Sequence, residues 1–310
     1  MGLSNIHTSI LVVNYNSSSH IENLLQSLSG VIGWEMLILD NDSSSSEREK
    51  LHSLSSVSPR VFIVESNSNL GFGAGINVLA RAAMASSSVN LWILNPDTEV
   101  MPGALEALSL GAAARFGLIL SPVILSNRSD PMSVWFRGGT FNSLTGAVRH
   151  TGFGDIPVES KSKSGHVATQ FMTGAAPFLT KQTWKHIGDF REDLFLYWED
   201  VEWSSRAGER GVSLEIDTKS VIVHKEGGSS GSDLDGLSET YYYYSSRNRI
   251  LVAGHCAARA NRLFGFGLLE TARLAALPLF REVQYPLRKF WMVVRGSIHG
   301  LFGISGNRIL

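Results

Sequence analysis

Four short apolar runs in the first hundred residues, at 8–13, 36–39, 61–64 and 91–94, each break off at polar residues, and helical patterns separate them. After the first run, Ile21, Leu24, Leu25 and Leu28 fall at the i, i+3, i+4, i+7 spacing of one helix face, with serines 17–19 placed to cap it. A polar helix precedes the third run, and an alanine-rich helix to about residue 85 follows it. Strand and helix alternating in this way build a parallel sheet with right-handed crossovers. The polar residues after the strands then gather on one rim, Asn14, Asp40, Asn69 and Asp97 among them. Open α/β sheets bind their ligands there, beyond the carboxyl ends of the strands.

The fourth run ends in Asn95-Pro96-Asp97. Proline has no N–H for a sheet ladder and biases the residue before it toward an extended conformation. The tripeptide is also a good turn former. One carboxylate at a strand end, with an amide two residues earlier, suits a hard divalent cation that also holds a phosphate.

Further along, Pro102 suits the first turn of a helix running to about residue 114. A short strand ends at 125, and an aromatic run at 134–139 contains Trp135. A polar loop spans 155–165, and a strand-like run over 169–179 contains Gly174. Residues 194–198 lead into Glu199-Asp200-Val201-Glu202, which opens a helix with acids in its first turn and stops at Gly208 and Gly211. Two short strands are expected at 212–216 and 221–223, the second ending at His224. The loop at 227–236 is so rich in Gly, Ser and Asp that mobility is expected.

Composition removes several function classes. The 310 residues allow one large α/β domain or two smaller ones, and a net charge of −1 provides no field for nucleic acid. The single cysteine, Cys256, excludes an internal disulfide framework and fits a reducing compartment. The chain opens with neither a basic nor an apolar leader, and no apolar run approaches the roughly eighteen residues of a spanning helix, so a cytoplasmic protein is expected. A glycine-rich fragment, Gly71-Phe72-Gly73-Ala74-Gly75, follows the third strand rather than the first, out of context for a dinucleotide fingerprint. From residue 259 on, eight Arg/Lys stand against two Glu, a segment of +6 interleaved with leucine and aromatics. That pattern suits helices lying on an anionic membrane face, and equally a helical pair packed on the core or on a second subunit.

The motifs Val12-Val13-Asn14-Tyr15-Asn16, Asp40-Asn41-Asp42-Ser43, Asn69-Leu70-Gly71-Phe72-Gly73, Asn95-Pro96-Asp97 and Trp198-Glu199-Asp200, in this order and spacing, resemble family-2 inverting glycosyltransferases of the GT-A fold. Within that family the bacterial rhamnosyltransferase-like enzymes of cell-surface polysaccharide assembly are the most similar, and the resemblance covers roughly residues 8–250. It implies an α/β, GT-A type fold: a single Rossmann-like, mostly parallel sheet flanked by helices, with a C-terminal helical extension. Residues 1–250 would form the catalytic domain, 1–115 its nucleotide-binding half and 116–250 its acceptor-binding half, followed by a basic amphipathic helical tail at 251–310.

By position in the motifs, the resemblance gives nucleotide binding to Asn14, Tyr15, Asp40, Asn69, Gly71 and Asn77. Asp97, with His224, would hold Mg²⁺ or Mn²⁺, although Asn95 replaces the first acid of the family's metal motif and removes a charge. Asp200 matches the general base and Glu199 its orienting neighbour; Trp135, Gly174 and Trp198 would contact the acceptor. The implied partners are a nucleoside-diphosphate sugar, dTDP-L-rhamnose foremost, and a saccharide or lipid-linked acceptor. The tail would bring the enzyme to the inner face of the cell membrane, or pair it with a second copy. The missing acid also motivates another reading, a catalytically silent nucleotide-sugar-binding or scaffold protein of the same fold, and a UDP-sugar is an alternative donor.

Overall fold

The computed structural model describes residues 8–56, 58–113, 115–157, 165–225 and 236–308. The expected alternation forms its first half: β1 (Thr8–Asn14), α1 (Ser18–Ser27), β2 (Trp34–Asn41), α2 (Ser45–Ser56), β3 (Val61–Ser66), α3 (Phe72–Ala83) and β4 (Asn90–Ile93). β1 lies between β2 and β4, and β3 flanks β2, all parallel. The side chains of β1, β2 and β4 are largely buried on both faces, as continuous apolar runs in a parallel sheet require, while β3 at the edge is only partly covered.

The second half departs from the local pattern. β5 (Thr98–Val100) precedes α4 (Ala104–Ala113), so Pro102 stands just ahead of that helix rather than in its first turn. The short strand expected to end at 125 is instead β6 (Leu118–Ser126), a long central strand. Next come β7 (Ser133–Phe136), β8 (Gly139–Asn142), β9 (Ala147–His150), β10 (His166–Ala168) and β11 (Phe178–Thr180). Of the run at 169–179 only the end is strand, and the 173–176 stretch turns. Its backbone donors go elsewhere: Gly174 N–H to Asp200 and Ala175 N–H to the Thr173 hydroxyl.

α5 (Lys181–Ile187) and α6 (Glu199–Glu209) lead to β12 (Ser213–His224), where two strands were expected. β12 is one strand with an irregularity between Asp217 and Val221, and Pro122 of β6 sits opposite Asp217. A proline inside a sheet is accommodated at such a bulge. Antiparallel β11 enters between β4 and β6, joining the two halves into one sheet in the order β10-β12-β6-β11-β4-β1-β2-β3, with β5 added on β12 and β7 on β6, while β8 and β9 pair only with each other as a separate hairpin. Most of the expected polar loop at 155–165 and of the glycine-rich loop at 227–236 lies outside the described residues.

α7 (Glu239–Leu251), α8 (Cys256–Phe264), α9 (Leu268–Arg281) and α10 (Pro286–Leu301) close the chain. α10 packs along α7 at backbone distance, because a Cβ at Gly296 or Gly300 would lie 2.3 or 2.4 Å from the carbonyl oxygens of Tyr243 and Arg247. The tail therefore continues the core on that face. No single helix among the described residues is long and apolar enough to cross a membrane.

Candidate active site

The register of β5 against β12 pairs Thr98 with His224, and Lys225 N–H donates to the Asp97 carbonyl at 2.8 Å. The strand end that carries Asp97 is thus laid beside the strand end that carries His224. Nε2 of His224 is 3.1 Å from Oδ1 of Asp97, and both residues are nearly enclosed. The Asn95 amide nitrogen lies 3.5 Å from the same ring nitrogen. Nδ1 of His224 is buried and has no hydrogen-bond partner among the described residues.

Asp200 opens α6 and is held by backbone donors on both oxygens, Gly174 N–H to Oδ2 at 3.0 Å and Val201 N–H to Oδ1 at 2.8 Å. Each oxygen keeps a lone pair for a further donor. Burial pushes its carboxyl up from the usual range, while those N–H groups and the nearby His150 pull it down. Asp200 remains partly exposed; Glu199 is buried. Burial and the Asp200 charge push the Glu199 carboxyl well up, and its Oε2 has no partner among the described residues. A carboxyl there is stable as the neutral acid.

One turn of chain joins the two halves of the site. Asn95 N–H donates to the Ala175 carbonyl at 3.1 Å, and Ala175 follows the glycine that holds Asp200. Trp135 closes the gap on the other side, its ring 4.7 Å from that of His224 and 5.4 Å from that of His150. Strand alternation explains its position: Val134 and Phe136 are buried while Trp135 points the other way and is only partly buried. His150 donates from Nδ1 to the Trp135 carbonyl at 3.0 Å, which leaves Nε2 the acceptor in the neutral ring.

The loop before α6 is wound in the left-handed region at Phe195, Tyr197 and Trp198, with φ of 64°, 65° and 73°. Such conformations are uncommon away from glycine and persist where surroundings hold them. Here Asn248 on α7 donates to the carbonyls of Leu194, Leu196 and Tyr197 at 2.9, 2.9 and 2.7 Å, and Arg247 adds a 2.7 Å bond to Leu194. The loop also accepts Phe72 N–H on the Phe195 carbonyl at 2.9 Å. Gly71 makes this possible: its φ is +84°, and a Cβ would fall 2.1 Å from the same oxygen.

The residues expected on the nucleotide divide. Tyr15 is exposed on the rim, but Asn14 and Asp40 are wholly buried. Asn14 donates to Ser43 at 3.3 Å, and Asp40 is bound by Arg48 at 3.0 Å. Asn69 braces its own loop, accepting from Asn41 at 3.1 Å and from Gly71 N–H at 3.0 Å. Asn77 is turned inward instead, exchanging hydrogen bonds with the Phe190 backbone at 2.9 Å in each direction. Among the acceptor candidates, Trp135 lies beside His224, Gly174 donates to Asp200, and Trp198 packs edge-on against Phe141. His150 and Asn248 carry no local motif, so sequence reading passes them over. Strand-end placement was the one available hint for His150.

Residues 9–129, which include the strand-end acid Asp97, match the model of glycosyl transferase family 2; Asp200 and His224 lie beyond the matched span. Relatives that match over more of the chain are glycosyltransferases by name. The low-salt glycan biosynthesis hexosyltransferase Agl10 of Haloferax volcanii is 25% identical over 307 residues, covering 96% of this chain and 92% of that one. The N-acetylglucosaminyl-diphospho-decaprenol L-rhamnosyltransferase of Mycobacterium tuberculosis is 26% identical over 235 residues, covering 70% and 75%. Among solved structures, GalNAc-T7 with UDP, GalNAc and Mn²⁺ superposes with a TM-score of 0.65 at 15% identity, covering 93% of this chain and 54% of that one. The fold is therefore of the GT-A type, as the resemblance implied.

The donor set at the strand ends fits a divalent cation only as part of a coordination shell. Among the described residues no three His, Cys, Asp or Glu side chains converge. Asp97 and His224 offer one carboxylate and one imidazole on the same side, with the Asn95 amide beside them. A cation held there would need its other ligands from phosphate oxygens and water, which suits Mg²⁺ or Mn²⁺.

Proposed function

We propose that this chain moves a sugar with inversion, L-rhamnose from dTDP-L-rhamnose, to a saccharide or lipid-linked acceptor in glycan synthesis. The observation that carries the proposal is the placement of the Asp97–His224 pair and Asp200 on either side of the Trp135 and 173–175 walls. The printed name of the mycobacterial relative supports the choice of rhamnose and of a lipid-linked acceptor.

In this reading Asp200 takes the proton of the acceptor hydroxyl as its oxygen attacks the anomeric carbon. The bond from that carbon to the diphosphate breaks on the opposite side, and its electron pair leaves with the nucleotide. Gly174 and Val201 N–H groups fix the carboxylate's orientation, and burial keeps it basic enough to accept a proton. Asp97 and His224 would hold the divalent cation, which when bound offsets the charge of the departing diphosphate. Glu199, kept neutral beneath, spares Asp200 a second negative charge. Trp135 offers an aromatic face for a sugar ring.

Replacing Asp200→Asn should lower transfer by about 10²–10⁴-fold while dTDP-rhamnose still binds by calorimetry. Near-normal turnover in that variant would remove Asp200 from the base role. Asn95 favours a second reading, a silent nucleotide-sugar binder, which would bind dTDP or UDP and neither hydrolyse nor transfer the sugar.

A further inference from the structure

We propose that α8, α9 and the outer side of α10 form a face that docks flat on an anionic lipid bilayer. The inner sides of these helices are fixed to the protein. Lys289 and Glu282 make a buried ion pair at 2.6 Å, and Glu282 also accepts the Tyr242 hydroxyl at 2.8 Å. Glu270 on α9 binds Arg149 on β9 at 3.0 Å, and Arg249 on α7 reaches the Thr271 hydroxyl.

The outer sides carry what a core would normally hide. Leu269, Phe280 and Val283 are 84%, 89% and 91% exposed. Eleven residues separate Leu269 from Phe280, three helical turns, so both lie on one face of α9 with Arg273 and Ala276 between them. Phe264 and Phe266 stand exposed at the α8–α9 elbow. On α10, Leu287, Trp291 and Ile298 form an exposed row opposite Gly296 and Gly300. An apolar surface of this extent marks an interaction site.

Charge selects the partner. Arg281, Arg288 and Arg295 are exposed, and no carboxylate among the described residues pairs with them. A second copy meeting this face through a two-fold axis would bring like charges together. Anionic headgroups complement the arginines while the aromatic and leucine side chains enter the acyl boundary. The helices lie on the bilayer rather than span it: α8 and α9 reach spanning length only together, bent by 62°, and the inner face of α9 is tied down through Glu270.

The docked face reaches the site through the β8–β9 hairpin. Arg262 and Arg249 donate to the Ser143 and Thr145 carbonyls of its turn, and Arg149 of the same hairpin precedes His150. Docking would therefore present the acceptor side of the cleft to the membrane. That last step rests on the transferase reading, whereas the docking itself stands on exposure and charge alone.

Co-sedimentation of the full chain with vesicles of phosphatidylcholine, with and without phosphatidylglycerol, tests the docking. The wild type should pellet with the anionic vesicles. The triple variant Leu269→Ser, Phe280→Ser, Val283→Ser should bind at least about tenfold more weakly, and Arg281→Glu with Arg288→Glu should erase the preference for phosphatidylglycerol. A wild type that stays in the supernatant, or a triple variant that pellets as well as it does, overturns the proposal. So does a wild-type dimer that the triple variant splits into monomers without any lipid effect. Calorimetry with dTDP and Mn²⁺ on the same samples keeps the readings apart, since lost nucleotide binding in all forms would count against the transferase and leave the vesicle result standing.

Discussion

Glu199 and Asp200 are adjacent in sequence yet face different surroundings, and their chemistry follows from that. Glu199 sits buried against α3, within 3.5 Å of where a Cβ on Gly73 would be. In the unfolded chain its carboxyl ionises near about pH 4.3, whereas burial holds the folded form protonated well above that. Its contribution to stability is therefore fully present below that pH and is lost as pH rises toward the folded-state value. Glu199→Gln should flatten the decline, so that the variant's melting temperature gains on the wild type between pH 5 and pH 8, read by scanning calorimetry. A variant that only lost stability, equally at both pH values, would place an ionised Glu199 in the fold. At the opposite wall, Asp97→Ala should weaken Mn²⁺-dependent binding of dTDP-sugar and leave metal-free nucleotide binding unchanged; titration calorimetry with and without EDTA checks this. Both acids were legible as candidates because their motifs are short and local. The burial of Asn14, Asp40 and Asn77 was not, because a polar residue at a strand end or on a helix reads the same whether it meets a ligand or a backbone amide across the fold.

At the level of elements, the loop before α6 shows how distant chain positions shape the site. Its three left-handed residues leave carbonyls that Asn248 gathers from another helix. Asn248→Ala should cost about 1–3 kcal/mol in urea unfolding, the range for stranded buried acceptors, and should lower kcat more than it raises KM for the donor. Full activity with lost stability would make the clamp purely structural. The helices and strands up to residue 94 follow directly from hydrophobic period, because each apolar run is distinct enough to read locally, even that of β4, whose parallel partner β1 lies 82 positions upstream. β11 does not: three residues inserted antiparallel between β4 and β6 owe their state to partners about sixty to ninety positions upstream. Likewise the polar 217–220 stretch reads as a break, and only the ladder to β6 shows one strand continuing through it.

Over the whole molecule, the tail is both part of the fold and a surface. Its basic, aromatic composition could be read from the sequence, but not which half would be buried, because α7 and α10 meet across small residues rather than through an apolar motif. Gly300→Leu would force a side chain where the Arg247 carbonyl lies 2.4 Å from the Cβ position. It should destabilise the chain by about 1–3 kcal/mol, as overpacking does, measured by thermal unfolding. Since Arg247 and Asn248 lie on α7, the loop carrying the acids should loosen with it. Removing the chain from residue 252 onward is thus not a neutral truncation, and vesicle binding is better tested by exposed substitutions.

The short ladder of β5 on β12 has one more implication. Asp97 and His224 are 127 positions apart in the chain, and the alignment of Thr98 with His224 is what sets them side by side. During synthesis, then, the Asp97–His224 pair cannot form until the chain has emerged past residue 224 and β12 has docked. A slip of one rung would turn the imidazole to the opposite face of the sheet, so a nascent or misregistered chain would lack the pair altogether.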